Sequence, residues 1–184
     1  EIPGTIRATQ TTKEDRIQYT WQLQDVPQYF PEPQMPTPHT VTQRLLISTI
    51  PSWEELSRWY WNLCLPRMEC TTPALEQTAL DLTHGKSTQE KIEALFTFVS
   101  QEIRYMGITT EEEAPGYEPH DVSITFENRY GVCRDKAALL AAMLRIAGVD
   151  AFPVIIMAGP KKDEEVPQPF FNHAVTAALD DNGD

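Results

Sequence analysis

Between Ala137 and Ala147 the chain reads Ala-Ala-Leu-Leu-Ala-Ala-Met-Leu-Arg-Ile-Ala, with Arg145 its one charged residue and Gly148 placed to end it. A helix that is apolar on nearly every side has no face suited to water, so the other elements must be arranged as its cover. The 184 residues suffice for that cover: they make one domain, or one domain and a fragment of another, but not two domains of ordinary size. Hydrophobic and charged fractions of 41% and 23% are those of a soluble globular chain.

Helix signals stand upstream of the apolar run. Ser52 and Glu55 have the spacing of a capping box and open a helix carrying Trp53, Leu56, Trp59, Tyr60 and Leu63. Thr72-Pro73 opens a second, with proline in the first helical position and Gly85 placed to end it. Ser87 and Glu90 form another capping box ahead of Ile92, Leu95, Phe96, Val99 and Ile103, an amphipathic pattern. Residues Met106 to Asn128 are mixed, and the acidic Glu111 to Glu113 reads as a solvated loop. After the apolar helix, Ala151 to Ala158 predicts a buried strand, Gly159 to Pro169 a polar loop, and Phe171 to Leu179 a second strand ahead of turn formers Asp180 to Gly183.

The start of the chain differs in character. Ile17, Tyr19, Trp21 and Leu23 alternate with polar residues, so Thr5 to Leu23 predicts a strand with one buried face. Five prolines from Pro27 to Pro38 mark an extended connector, and Val41 to Ile50 predicts another strand. Two or three strands bury too little to stand alone. Residues 1–50 are therefore expected to be the C-terminal fragment of a β-rich domain with its proline-rich connector, and residues 51–184 a second domain.

Asp and Glu number 27 against 15 Lys and Arg, and the formal charge of −12 repels phosphate backbones and anionic membrane surfaces. Nucleic acid is not an expected partner, and no apolar run reaches the roughly 18 residues of a membrane span. Glu1-Ile2-Pro3-Gly4 is no signal peptide, so the natural start is expected upstream. Cys64 and Cys70 lack zinc spacing and no histidine follows at ligand distance, so neither metal nor cofactor is expected. Their spacing leaves open a small disulfide loop or two free thiols.

Cys133 stands where the chain turns at Gly131 and enters the apolar helix. Unpaired amides and the helix dipole favour negative charge there, which lowers a thiol's pKa toward the reactive thiolate. An imidazole that takes and returns the proton completes such a nucleophile. Of the four histidines, His173 opens the second strand after the helix, while His39, His84 and His120 read as surface residues. Taken singly, a cysteine at a helix start and a histidine on a strand are more often structural than catalytic. The amide of Cys133 is the natural first donor to an oxyanion, and Asp135 reads as a first-turn acid favoured by the dipole.

Three segments, Gly131-Val132-Cys133-Arg134-Asp135-Lys136-Ala137, Leu139 to Gly148, and Phe171-Asn172-His173-Ala174, resemble the core of the transglutaminase-like superfamily. Its signature is a Gly-x-Cys-x-Asp helix start, an alanine- and leucine-rich helix, a strand, and a histidine on the next strand. Trp53 to Tyr60, Ile103 to Gly107 and the β-rich start resemble bacterial proteins in which a β-rich domain of unknown function precedes such a thiol domain. The resemblance implies an α+β fold with a papain-like core, its Cys-bearing helix packed on an antiparallel sheet, after a short N-terminal β segment. It implies Cys133 as nucleophile, His173 as its partner, and Tyr105, placed before the Cys helix, as a second oxyanion donor. An aspartate on the strand after the histidine orients the ring in this superfamily. Here the chain stops at Asp184, and Asp180, Asp181 and Asp184 do not match that aspartate, so it is expected beyond the chain end.

The implied activity is that of a cysteine hydrolase, a peptidase or amidase working through an acyl-enzyme on a peptide or amide-containing polymer, in a periplasmic or secreted setting. One alternative is the same chemistry with an amine acceptor, a transglutaminase, because the acceptor is chosen by pocket shape and not by the thiol pair. A second is a non-catalytic binding module that keeps the scaffold.

Overall fold

The computed structural model describes residues 8–36, 42, 45–106, 116–158, 166–181 and 183, and the chain divides into two compact units, Glu1–Leu46 and Ile47–Asp184. In the first, β1 (Thr9–Lys13) and β2 (Arg16–Thr20) form an antiparallel hairpin with Thr9 opposite Thr20 and Lys13 opposite Arg16. Glu14 takes the left-handed conformation, φ 52°, that a two-residue turn demands. The single strand expected over Thr5 to Leu23 is thus two strands and a turn, and its alternation buries no face. Ile17 and Tyr19 are 56% and 52% exposed, because a lone two-stranded ribbon has no second layer to cover it. Trp21 and Leu23 lie past the end of β2. The strand expected over Val41 to Ile50 is absent from residues 45–50, where no neighbouring strand offers a ladder among the described residues; Val41, Gln43 and Arg44 lie outside them.

The second unit is built around the apolar helix. Its helices are α1 (Trp53–Glu69), α2 (Pro73–Thr83), α3 (Thr88–Glu102), α4 (Val122–Asn128) and α5 (Cys133–Ile146). Strands β3 (Arg104–Tyr105) and β4 (Tyr130–Gly131) pair in parallel, and β5 (Ala151–Ile156) and β6 (His173–Ala178) pair antiparallel. Helix α5 packs against the other four helices and against both β5 and β6. Ala138, Leu139, Ala141 and Met143 are fully enclosed, joined in the core by Leu75, Leu95 and Ile103. This is the α+β arrangement that the all-round apolar run requires.

The local signals act as their chemistry dictates. The Ser52 hydroxyl accepts from the Glu55 amide at 3.2 Å. At Ser87 both arms of the capping box close, and those bonds hold the Glu90 carboxyl below its usual range. Gly148, at φ +79°, ends α5, with the Val149 amide donating to the Leu144 carbonyl at 2.9 Å. Helix α4 arises in the mixed stretch where no regular element was expected, and the β3–β4 pair flanks that stretch. There Arg129, left-handed at φ 58°, ends α4 and lies over the rings of Phe126 and Phe98, 4.5 and 5.2 Å from their centroids.

Cys64 and Cys70 form no disulfide. Cys64 is fully buried on α1, and Cys70, just past its end, is exposed, with its thiol near the Pro66 carbonyl. Six residues of helix carry the chain about 600° around the axis, which sends two such side chains to different faces.

Candidate active site

Cys133 is the first residue of α5 and is half-buried. The residue before it, Val132, has no side-chain oxygen to cap the helix, and Asp135 supplies the bond from inside. Its Oδ2 accepts the Val132 amide at 2.9 Å. Only 3% of Asp135 is exposed, and its Oδ1 accepts the backbone amide of His120 at 3.0 Å and faces the His120 Nδ1 at 3.1 Å. Against an ionised carboxylate, Nδ1 must carry the proton. Gly131 is required by the same carboxylate: a Cβ there would stand 2.8 Å from the Asp135 Cβ and 3.2 Å from the Thr125 methyl. The Gly-x-Cys-x-Asp spacing is thus a packing and hydrogen-bonding unit. Lys136 extends it by donating to the Ile103 carbonyl at the end of α3, and burial holds its ammonium below the usual lysine range.

Strand β3 brings Tyr105 to this corner. Tyr105 pairs with Gly131, and the Met106 amide donates to the Gly131 carbonyl at 3.1 Å. At 56% exposed, Tyr105 does not close the preceding helix onto the core. Its phenol pKa is raised, first by partial desolvation, then by the charge of Cys133 and a hydrogen bond with its side chain, while the Cys133 backbone amide pulls the other way. The hydroxyl is therefore beside both the sulfur and the amide of Cys133. From the core side Tyr60 approaches, 3% exposed, its hydroxyl beside Cys64 without a well-formed hydrogen bond. Its pKa is raised above the ordinary phenol value, by burial first and then by Cys64 and Cys133. Burial pushes the Cys64 thiol itself up to about 11.

His173 opens β6, opposite Ile156. The Thr176 hydroxyl donates to the Ala137 carbonyl at 3.0 Å, tying the strand to the first turns of α5. At the other end, the Leu179 amide donates to the Asp150 carbonyl, just after α5, at 2.8 Å. Strand β6 therefore runs with α5, and His173 comes at the end of the strand that matches the Cys133 end of the helix. Alternation turns Ala174, Thr176 and Ala178 toward the helix and leaves His173 exposed. No hydrogen bond joins the ring to the thiol among the described residues. Asp180 and Asp181 follow the opposite end of β6, where the Asp181 carboxylate accepts from the Thr88 hydroxyl, so neither is placed to orient the His173 ring.

The segment from Gly116 to Asp121 bonds Asp135 and the chain that leads into β6, and two of its residues have roles that the sequence pattern did not disclose. His120, expected at the surface, is the partner of buried Asp135. The Tyr117 hydroxyl bonds the Pro169 carbonyl and accepts the Phe171 amide at 3.2 Å, on the approach to His173. Glu118 and Asp121 both pair with Arg67 of α1, at 2.9 and 3.0 Å. Pro119 between them is buried. Asn172 braces the same approach from β5, its side chain bonding the amide and carbonyl of Ala158 at 2.8 and 3.1 Å.

Alongside lies a cleft of about 760 Å³ between α1 and β5, lined by Trp53, Trp61, Phe152, Val154 and Phe171, with Tyr60 in its wall. Trp53 and Tyr117 both meet Phe171 edge to face, at 6.4 and 6.1 Å between centroids. Among the described residues no cluster of His, Cys, Asp and Glu is arranged to hold a metal ion, and no helix is long and apolar enough to cross a membrane.

No curated protein matches the chain. The fold is similar to that of a crystal structure of a "putative protease" from Parabacteroides distasonis, with a TM-score of 0.68 and 19% sequence identity. The match covers 98% of this chain but 35% of that one, so the chain spans about a third of the length of its structural relative. The profile of the transglutaminase-like superfamily matches residues 76–183, which include the Cys133 helix and the His173 strand. The chain belongs to the transglutaminase-like superfamily.

Proposed function

We propose that residues 47–184 carry the thiol centre of a cysteine hydrolase that cleaves amide bonds in peptides or peptide-containing polymers. The observation that carries this reading is the placement of Cys133 at the first turn of the buried helix, with the Tyr105 strand paired to the residues just before it. The thiolate of Cys133 attacks the amide carbonyl, and the oxygen that becomes negative is met by the Cys133 amide and the Tyr105 hydroxyl. The C–N bond then breaks, and His173, having taken the thiol's proton, gives it to the departing amine. Water, deprotonated by the same ring, releases the acid from the thioester. The aromatic cleft, which reaches Phe171 two residues before His173, offers apolar substrate groups a binding surface.

The test is a peptide mixture incubated with the protein and with its Cys133→Ala variant, with and without a fluorescent primary amine, and read by mass spectrometry. Cleavage that the variant loses is the expected outcome. Incorporation of the amine in place of cleavage would reassign the centre to acyl transfer. Absence of both, with a Cys133 thiol that titrates near its ordinary 8.5, would reduce the fold to a binding module.

A further inference from the structure

The loop from Gly116 to Asp121 is fixed at three places: to α1 through Arg67, to α5 through Asp135, and to the approach of β6 through Phe171. Of these, the second and third are next to the two candidate reacting groups. Asp135 is two residues from Cys133 on the same helix, and Phe171 is two residues before His173. Residues two apart on a helix point about 200° apart, so His120, which bonds Asp135, does not itself stand in for the imidazole partner of Cys133.

We infer that this loop sets the position of the thiol relative to the imidazole, with His120 and Tyr117 as positioning residues for the reaction. His120 acts through Asp135. Its ring and amide hold the carboxylate whose other oxygen takes the Val132 amide. That bond turns the peptide group ahead of Cys133 and leaves the Cys133 amide outside the cap, against the Tyr105 hydroxyl. The Nδ1–H also draws on a carboxylate charge that would otherwise oppose a thiolate two residues away. Tyr117 acts through the backbone, its hydroxyl fixing Pro169 and Phe171 and so the entry of the chain into β6. Because both side chains leave one short loop, a displacement of either alters the distance between the two ends.

This inference rests on the proposed thiol chemistry, and alkylation separates its failure from the failure of that reading. The full chain is treated with iodoacetamide across pH 5–9 and labelling at Cys133 is followed by peptide mass spectrometry, for wild type, His120→Ala, His120→Asn, Tyr117→Phe and Ser87→Ala. Asparagine keeps a donor at the Nδ1 position, and Ser87 caps α3 away from the site. Expected are a wild-type profile displaced below the ordinary thiol range and an upward displacement of about one pH unit in His120→Ala and Tyr117→Phe. That displacement is a tenfold slower reaction on the acid limb. His120→Asn should restore the wild-type profile, and Ser87→Ala should leave it unmoved despite a lower melting temperature. A displaced wild-type profile that neither His120→Ala nor Tyr117→Phe moves would overturn the positioning role alone. That role also falls if Ser87→Ala moves the profile as far as they do. An ordinary wild-type profile would overturn the thiol chemistry and the positioning role together.

Discussion

At the scale of single residues, three cysteines in one chain have three different chemistries because their surroundings differ. Cys64 is sealed in the core with its pKa pushed up to about 11, Cys70 is exposed, and Cys133 is half-buried at a helix start. Folded protein treated with iodoacetamide at pH 7 is therefore expected to leave Cys64 unlabelled until denaturant is added, and peptide mapping reads this directly. Asp135 is the other residue whose surroundings decide its behaviour. Asp135→Ala leaves the buried Val132 amide and the part-buried His120 amide without their acceptor, a loss of about 2–3 kcal/mol in a urea titration. A Gly131→Ala variant drives a Cβ to 2.8 Å from the Asp135 Cβ and is expected to lose about 1–3 kcal/mol by overpacking. The proposed nucleophile stood out in the sequence because glycine, cysteine and aspartate lie within five positions. The His120 partnership did not, because a histidine preceding α4 meets Asp135 only after the chain has doubled back.

Among the elements, α1, α2, α3 and α5 followed their local chemistry and β5 and β6 came where the sequence placed strands, while the other strands did not. Serine, threonine, proline and glycine at α1, α2, α3 and α5 specify ends through bonds made within a turn. Ser87→Ala should lower stability by about 1 kcal/mol in a melt at pH 7. The Ser87 bonds also depress the Glu90 carboxyl in the folded state. Their stabilisation is thus complete above the unfolded carboxylate's pKa of 4.5 and is lost as pH falls through the lower folded value. Alanine keeps the backbone bond to Glu90 and loses only the hydroxyl's, so wild type and Ser87→Ala should draw closer in stability at acid pH without meeting, and parallel curves down to pH 2 would contradict the hydroxyl–carboxylate bond. Strands needed partners that the sequence could not supply. Val41 to Ile50 looks like a strand and finds no ladder over residues 45–50, whereas Arg104–Tyr105 and Tyr130–Gly131, too short to be noticed, pair just ahead of Cys133.

For the whole molecule, one buried helix sets the architecture. Leu139, Met143 and Leu144 of α5 are at most 1% exposed, and Leu144→Ala should cost about 2–5 kcal/mol, measured by chemical unfolding. The charge of −12 has its own consequence. With a sequence pI near 4.7, solubility should pass through a minimum close to that pH and recover on either side, as a turbidity series would record.

The sequence by itself determined the apolar helix, the caps that delimit its neighbours, the cysteine at its start and the family that these together define. Those features are written in near neighbours, where spacing alone fixes which groups can meet. Only the tertiary structure decided which face of each element is covered and that no bridge joins Cys64 to Cys70. It alone also put Tyr105 against Gly131, His120 against Asp135 and Tyr117 against Phe171. Those contacts close over dozens of residues, and the packing around α5 selects them from the many that local pattern permits.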